Sequence, residues 1–350
     1  MLRSMSSVVS GLSANQTALD VIGNNIANVS TTSFKQQRVR FSDNISQSIS
    51  DAISPSTTLG GSNPKQVGLG TTISGIDTIV TQGSLTPTTN KLDCAVDGDG
   101  YFMVSKSSEL FDTGTTGSTT ETIGISLEDH TIEENPREAE IFYTRDGSFS
   151  LDQDGNLINS DGYRVLGYSL IDTTTGNKTI QSIGDKGNVS FVDANAVDDN
   201  EYSTVRAYVS GTGNANDEYE YQLKTLKIPD TVRCPKDDGT TFDPNTDGAY
   251  KDVRVKSYSI ESSGLIKAAL EDGNTTIIGQ MALSSFNNPA GLYRVGGNLL
   301  QESENSGDAS LMSAYFGYYD STDAMENLAD GASNTGAFGS IRSGALEGSN

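Results

Sequence analysis

The chain has 350 residues, with 46 acidic against 23 basic side chains and a formal charge of −23. Such a surface repels duplex nucleic acid and anionic lipid at long range, which excludes both as main partners. One His, two Cys and no Trp leave little material for catalysis or metal binding, and Ser, Thr and Asn at 104 positions favour short strands and turns over large helical cores.

The charge is unevenly placed. Residues 1–92 hold six basic side chains (Arg3, Lys35, Arg38, Arg40, Lys65, Lys91) against four acidic ones (Asp20, Asp43, Asp51, Asp77), so the remaining 258 residues carry −25. Between Ser4 and Phe34 only Asp20 is charged. No apolar run approaches the roughly 18 residues of a membrane span, so no membrane insertion is expected. The start also lacks the basic and apolar regions of a cleavable leader.

Met5, Val8, Leu12, Asn15, Leu19, Ile22, Ile26 and Val29 follow one another at alternating steps of three and four, which predicts a helix with the seam of a left-handed coiled coil and Asn15 as its polar member. Covering the seven apolar side chains is worth about 1.5–3 kcal/mol each, but only where a second helix lies on them. Gly11, Gly23 and the β-branched residues weaken the helix in isolation. The segment is therefore expected to be mobile in the monomer and helical in an assembly, the alternative being an amphipathic helix packed on its own domain.

Ser42–Lys65 is rich in Ser, Thr, Gly, Asn and Pro and reads as a linker or extended arm. From Gln66 the texture is β. Lys91–Val104 (KLDCAVDGDGYFMV) predicts two strands joined as a hairpin by Asp97-Gly98-Asp99-Gly100. Ser105–Glu140 reads as a polar surface excursion. Tyr143–Tyr168 predicts a meander turning at Asp146-Gly147, Asp154-Gly155-Asn156 and Asp161-Gly162. Ile171–Asp252 is acidic and irregular, an inserted and solvent-facing region. Alternation returns in Val253–Ile260, and the tail from Gln301 to Gly336 is low in complexity.

The catalytic and metal readings are weak. Asp152, Asp154 and Asn156 alternate like calcium ligands, yet Gly155 comes too early for a calcium-binding loop of the helix–loop–helix type. Asp97 and Asp99 as a glycosidase pair would need burial to separate their pKa values, which surface turn residues lack. His130 stands in a polar, acidic stretch without a nucleophile motif. Cys94 reads as a small buried hydrophobe, and Cys94 with Cys234 makes no disulfide framework. With no cofactor motif either, function is expected from surfaces rather than from a reaction site, and the chain is expected not to be an enzyme.

The opening MLRSMSSVVSGLSANQTALDVIGNNIANVSTTSFK resembles the N-terminal signature of bacterial flagellar axial proteins, the rod and hook subunits, most plainly in LDVIGNNIANVSTTSFK from Leu19 to Lys35. QVGLG at Gln66, TQGSL at Thr81, LDCAVDGDGYF at Leu92, YTRDGSFSLDQDGNL at Tyr143, SDGYRVLGY at Ser160, IIGQMALSSFNNPAGL at Ile277 and GSIRSGALEGSN at Gly339 look like that family's blocks, in its order. Together they cover about half of the chain.

The resemblance implies a helical homopolymer: a hollow tube lined by terminal helices and walled by β-rich domains. The fold class expected is mainly β with an N-terminal α-helix, a coiled-coil-type terminal helix joined to a β-rich wall domain. The implied domains are an assembly helix over 1–35, a linker or arm over 36–65, a wall domain over 66–170 and 253–345, an inserted acidic outer region over 171–252, and the start of a truncated C-terminal segment over 346–350. In the family that last block leads into a C-terminal helix that pairs with the N-terminal one, so a chain ending at Asn350 is expected to be a fragment or to assemble poorly.

The function implied is a structural subunit of the flagellar hook, a flexible tube that transmits torque in motility. Partners would be further copies of itself, the rod, hook–filament junction and hook cap proteins, and the flagellar type III export apparatus. The location would be extracellular, in the hook and basal body. The assembly interface would be Met5, Val8, Leu12, Asn15, Leu19, Ile22, Ile26 and Val29. Length favours hook over the distal rod, which remains the alternative. A secreted β-rich binding module or glycosidase is the competing reading from another class.

Overall fold

The computed structural model describes residues 2–57, 60–106, 123–125, 131–134, 140–153, 155–172, 178–179, 189–190, 205–207, 209–210, 220–235, 250–312, 318–319, 325–326 and 338–350. Two compact units emerge: a first of Met1–Gly83 with Gly348–Asn350, and a second of Ser84–Glu347.

The first unit begins with helix α1, Leu2–Ala27, followed by β1 (Gln37–Asp43), β2 (Ser46–Ser50), β3 (Lys65–Gly68) and β4 (Thr71–Thr78). β1 pairs antiparallel with β4, from Gln37 opposite Thr78 to Asp43 opposite Thr71, with a bulge at Arg40/Phe41. β2, inside the stretch read as a linker or arm, pairs with β3, which begins at its end, as a separate antiparallel ribbon whose residues are all exposed. Gly70 sits between the ribbons with φ of +122°, and a Cβ there would run into the Ser10 side chain, so only glycine lets the helix come this close. Asn350 also belongs here: its Nδ2 donates to the carbonyls of Ile79 (2.7 Å) and Thr81 (3.0 Å), while its Oδ1 accepts from the Gln36 amide at 2.8 Å. One amide side chain thus ties the segment after the helix to the end of β4.

Among the described residues the second unit is almost entirely β, with one short 3-10 turn at Pro289–Gly291. Its strands include β5 (Leu85–Pro87), β6 (Cys94–Asp97), β7 (Tyr101–Ser105), β8 (Ile141–Thr144), β9 (Ser150–Leu151), β10 (Leu157–Ile158) and β11 (Arg164–Asp172). They are followed by β12 (Thr231–Pro235), β13 (Tyr250–Ile260), β14 (Leu265–Leu270), β15 (Thr275–Met281), β16 (Leu283–Ser285), β17 (Ser340–Ser343) and β18 (Ala345–Glu347). The apolar run of β7 is buried along its whole length because it separates two cores. Phe102 and Val104 point into one, with Phe149, Leu157, Ile266 and Leu283; Tyr101 and Met103 point into the other, with Leu223, Phe286 and Leu311. The same period of two sends Phe142 of β8 and Val165 of β11 to the first core, and Tyr143, Leu166 and Tyr168 to the second. Tyr168 keeps its hydroxyl satisfied at 2.6 Å from the Met312 carbonyl, and Tyr143 donates to Glu302.

Asp97-Gly98-Asp99-Gly100 does not close a hairpin, which corrects the sequence reading. β6 pairs with β17, Ser340 opposite Asp97, whereas β7 pairs with β8, β11 and β16. Gly98 and Gly100 take φ of +118° and +139°, away from the values near +60° of a tight hairpin turn, so they carry the chain from one sheet to the other. The meander from Tyr143 holds for β9–β10–β11, turned at Gly155 and Gly162. It does not include Asp146-Gly147: β8 has no ladder with β9, and Gly147 instead accepts the Cys94 amide at 2.9 Å.

Candidate assembly surface

A helix almost free of charge has to hide something, and α1 has two stripes to choose from. The stripe turned inward is Ser7, Gly11, Ala14, Ala18, Val21, Asn25 and Asn28, again at steps of four and three, with Ser10 and Thr17 beside it. Ala14 is buried and the others are half-buried, and the helix lies against β1 and β4. Small side chains permit this close seat. Asn25 fixes the register by bonding the Gln37 backbone twice: its Nδ2 donates to the carbonyl (2.7 Å) and its Oδ1 accepts from the amide (3.1 Å).

The stripe expected from the sequence faces the other way. Met5, Val8, Leu12, Leu19, Ile22, Ile26 and Val29 stand 50–70% exposed, and Val9 flanks them. Asn15 is exposed among them and spends its Nδ2 on the Gly11 carbonyl at 2.8 Å. Val29 lies just past the helix end, where Asn28 caps the last turn by donating to the Asn24 carbonyl at 2.9 Å. Packing on its own unit and offering an apolar seam are thus not alternatives, because the helix does both with opposite faces. The single chain holds a formed helix where the sequence predicts one that orders on assembly. The reason is the small-residue stripe, which repeats at the same spacing and is invisible to a search for large apolar groups.

Further apolar groups lie outside the helix. Ile45, Ile49, Ile53 and Val67 stand exposed on and beside the β2–β3 ribbon, and Phe41 and Ile76 on the β1–β4 pair. Ile45, Ile49 and Ile53 fall in the stretch read as a linker or extended arm, where their recurrence at steps of four is the signal of an apolar face. Arg38 and Arg40 share the Asp77 carboxylate at 3.5 and 2.8 Å, mostly exposed, which contributes little to stability.

The catalytic candidates disperse. Asp97, the last residue of β6, and Asp99, two residues on, are both exposed. The Asp152 carboxylate accepts from the amide and the side chain of Asn156, both at 2.7 Å, and so closes its own turn. Asp154 and His130 lie outside the described residues, as does the side chain of Cys234. Cys94 is a free buried thiol whose pKa burial pushes up to about 12, with the Asp93 carboxylate adding to the rise. Among the described residues no group of three His, Cys, Asp or Glu side chains could hold a metal, and no helix is long and apolar enough to cross a membrane.

Residues 5–35, helix α1 with the turn after it, match the family described as flagella basal body rod protein, and residues 132–191 match the flagellar hook protein FlgE/F/G D1 domain. The chain is 32% identical to the flagellar basal-body rod protein FlgG of Bacillus subtilis, over the whole of this chain and 85% of the relative. It is 28% identical to the flagellar hook protein FlgE of Borreliella burgdorferi, covering 99% of this chain and 90% of the relative. A solved structure, the Helicobacter pylori flagellar hook protein FlgE2, aligns over 75% of this chain and all of that one at 13% identity, with a TM-score of 0.35.

Proposed function

The chain belongs to the flagellar hook and basal-body rod protein family, and from that premise we propose that it is a structural subunit of the hook, polymerising through α1 into a hollow tube that transmits torque from motor to filament. Self-polymerisation within the flagellar axis is what this family does. The observation that carries the reading to particular residues is the uncovered seam of Met5, Val8, Leu12, Leu19, Ile22, Ile26 and Val29 on a helix whose opposite face is already occupied. A stripe of this kind asks for another helix. A head-to-tail contact between copies that does not close into a ring then grows into a helical tube. The outer acidic region, the neighbouring rod, junction and cap proteins, delivery by the type III export apparatus and an extracellular site all follow from the same reading.

Electron microscopy of the protein expressed from its full reading frame tests it. Concentrated protein should form tubes, and soluble monomers at every concentration would overturn the assignment. A rod subunit is the second reading, favoured by the 32% identity to a rod protein over the full chain. Curved tubes support the hook, and straight, stiff ones the rod.

A further inference from the structure

The chain enters the second unit at Ser84 and leaves it after Glu347. β5 and β18, the strands at these two ends, pair antiparallel with Leu85 opposite Glu347 and Pro87 opposite Ala345. Their free ends therefore point the same way. A pull on both along their common axis does not slide one strand past the other; it draws the pair out together, and the hydrogen bonds between them offer no resistance. Resistance has to come from whatever fixes the pair to the remainder of the unit. β5 is largely exposed, so the fixing lies on the side of β18, where Ala345 and Glu347 are buried.

Glu347 is 1% exposed, and its carboxylate stands 3.5 Å from Nε of Arg145, itself buried. At that length the contact is an ion pair rather than a hydrogen bond. Arg145 comes directly after β8, whose four residues are all paired with β7 at the centre of the fold. Its Nη2 donates to the Gly98 carbonyl, and its guanidinium lies 5.5 Å from the centre of the Tyr101 ring. Around it the backbones close up. A Cβ on Gly98 would come within 2.8 Å of the Gly339 Cα, Gly339 donates to the Asp99 carbonyl at 2.7 Å, and Gly344 to that of Asp93 at 2.7 Å. Three segments distant in sequence, 93–101, 145–147 and 339–347, meet at this one side chain.

The geometry points to Arg145 and Glu347 as a buckle that anchors the two outgoing strands to the central sheet. A buried ion pair is a poor way to add stability, since apolar residues of similar shape often do as well or better. It is a good way to fix a position, because the pair is favourable in only one arrangement. The last step rests on the axial-subunit reading: in a tube under torque, displacement between the units of one chain pulls on β5 and β18, and the buckle is what holds.

The test uses the full chain with Glu347→Gln, which keeps the shape and removes the charge, and Arg145→Lys, which keeps the charge and removes the forked donor. Amide exchange at Leu85, Thr86 and residues 345–347 should speed up at least tenfold in Glu347→Gln and by less in Arg145→Lys, with Phe102–Val104 of β7 within twofold of the parent. Unchanged exchange at 345–347 overturns the anchor, and so does an equal rise in β7, which would make the pair ordinary core. Where the parent forms tubes, tubes of Glu347→Gln should break at a lower shear rate. Equal resistance overturns the mechanical role. A parent that forms no tubes counts against the axial-subunit reading instead, while the exchange result still decides the buckle.

Discussion

Fourteen of the sixteen large hydrophobic side chains exposed among the described residues belong to the first unit, and only Tyr293 and Val295 to the second. Both core clusters, by contrast, lie in the second. Charge divides the same way. The first unit has five basic against four acidic side chains, a net of +1, which leaves −24 for the second out of a total of −23. Among its described residues the second unit buries nearly all its large apolar groups, and its sequence carries the excess of negative charge. The first does neither: it is close to neutral, apolar on its surface and built, among the described residues, from one helix and two ribbons that neither core cluster backs. On the proposed assembly the first unit supplies the adhesive surface, and surface composition already tells the two units apart.

The sharpest way to break this contrast is to truncate a buried aromatic. Phe102 is fully buried in β7 and meets Phe149 edge-on with ring centres 5.1 Å apart. Phe102→Ala should cost about 3–5 kcal/mol, a large share of the stability of such a domain. The urea midpoint of the second unit, followed by tyrosine circular dichroism, should fall accordingly. A shift below about 1 kcal/mol would mean that the two cores around β7 are not what holds the unit.

Cys94 gives the next effect. Its folded pKa of about 12 lies above the ordinary thiol value of 9.0, so from about pH 9 the unfolded chain loses a proton that the folded chain keeps. Stability from this group is complete below pH 9 and falls as pH rises towards 12, by up to about 4 kcal/mol at the top of that window. Thermal midpoints measured from pH 8 to 11 should decline, and Cys94→Ala should flatten the decline. An unaltered slope in that variant assigns the alkaline loss to other groups.

These cases also mark how far the sequence was legible. β7 and β8 announce themselves as unbroken apolar runs, because burial on both faces leaves no polar alternation to find, and Cys94 reads correctly as a buried hydrophobe. The large seam of α1 is equally plain from its spacing. The partner of β6 is not: Ser340–Ser343 lies more than 240 residues away, and a Gly-punctuated turn next to two strands looks like a hairpin whichever sheet each strand joins. Nor does the small-residue stripe of α1 stand out, since Ser, Ala and Gly signal a close contact only once something is known to approach. Local pattern fixes elements; the long-range pairing that assembles them has no local trace. The Arg145–Glu347 pair belongs with the illegible part, because nothing near either residue in sequence names the other.

Gly70 tests how α1 is held. Alanine at φ of +122° is strained, and its Cβ would press on Ser10, so Gly70→Ala should cost about 1–3 kcal/mol and loosen the helix from β1 and β4. Amide exchange across residues 7–25 should accelerate while β7 is unchanged. If the helix keeps its protection, the small-residue stripe is not what seats it.

The smallest effect on the single chain is the most informative about the seam. Leu19 is 67% exposed on the outer face of α1. Leu19→Ser therefore removes almost no buried area from the monomer, and surface changes of this kind stay within about 0.5 kcal/mol. Any copy that covers the seam loses the whole burial term of one leucine at each contact, about 1.5–3 kcal/mol, repeated along a polymer. The concentration at which the parent assembles should rise at least tenfold in Leu19→Ser while its unfolding midpoint does not move. Loss of both together would mean that Leu19 is part of the folded monomer after all, and loss of neither would mean that the polymer uses another face of the first unit, with the exposed isoleucines of the β2–β3 ribbon the next to be replaced.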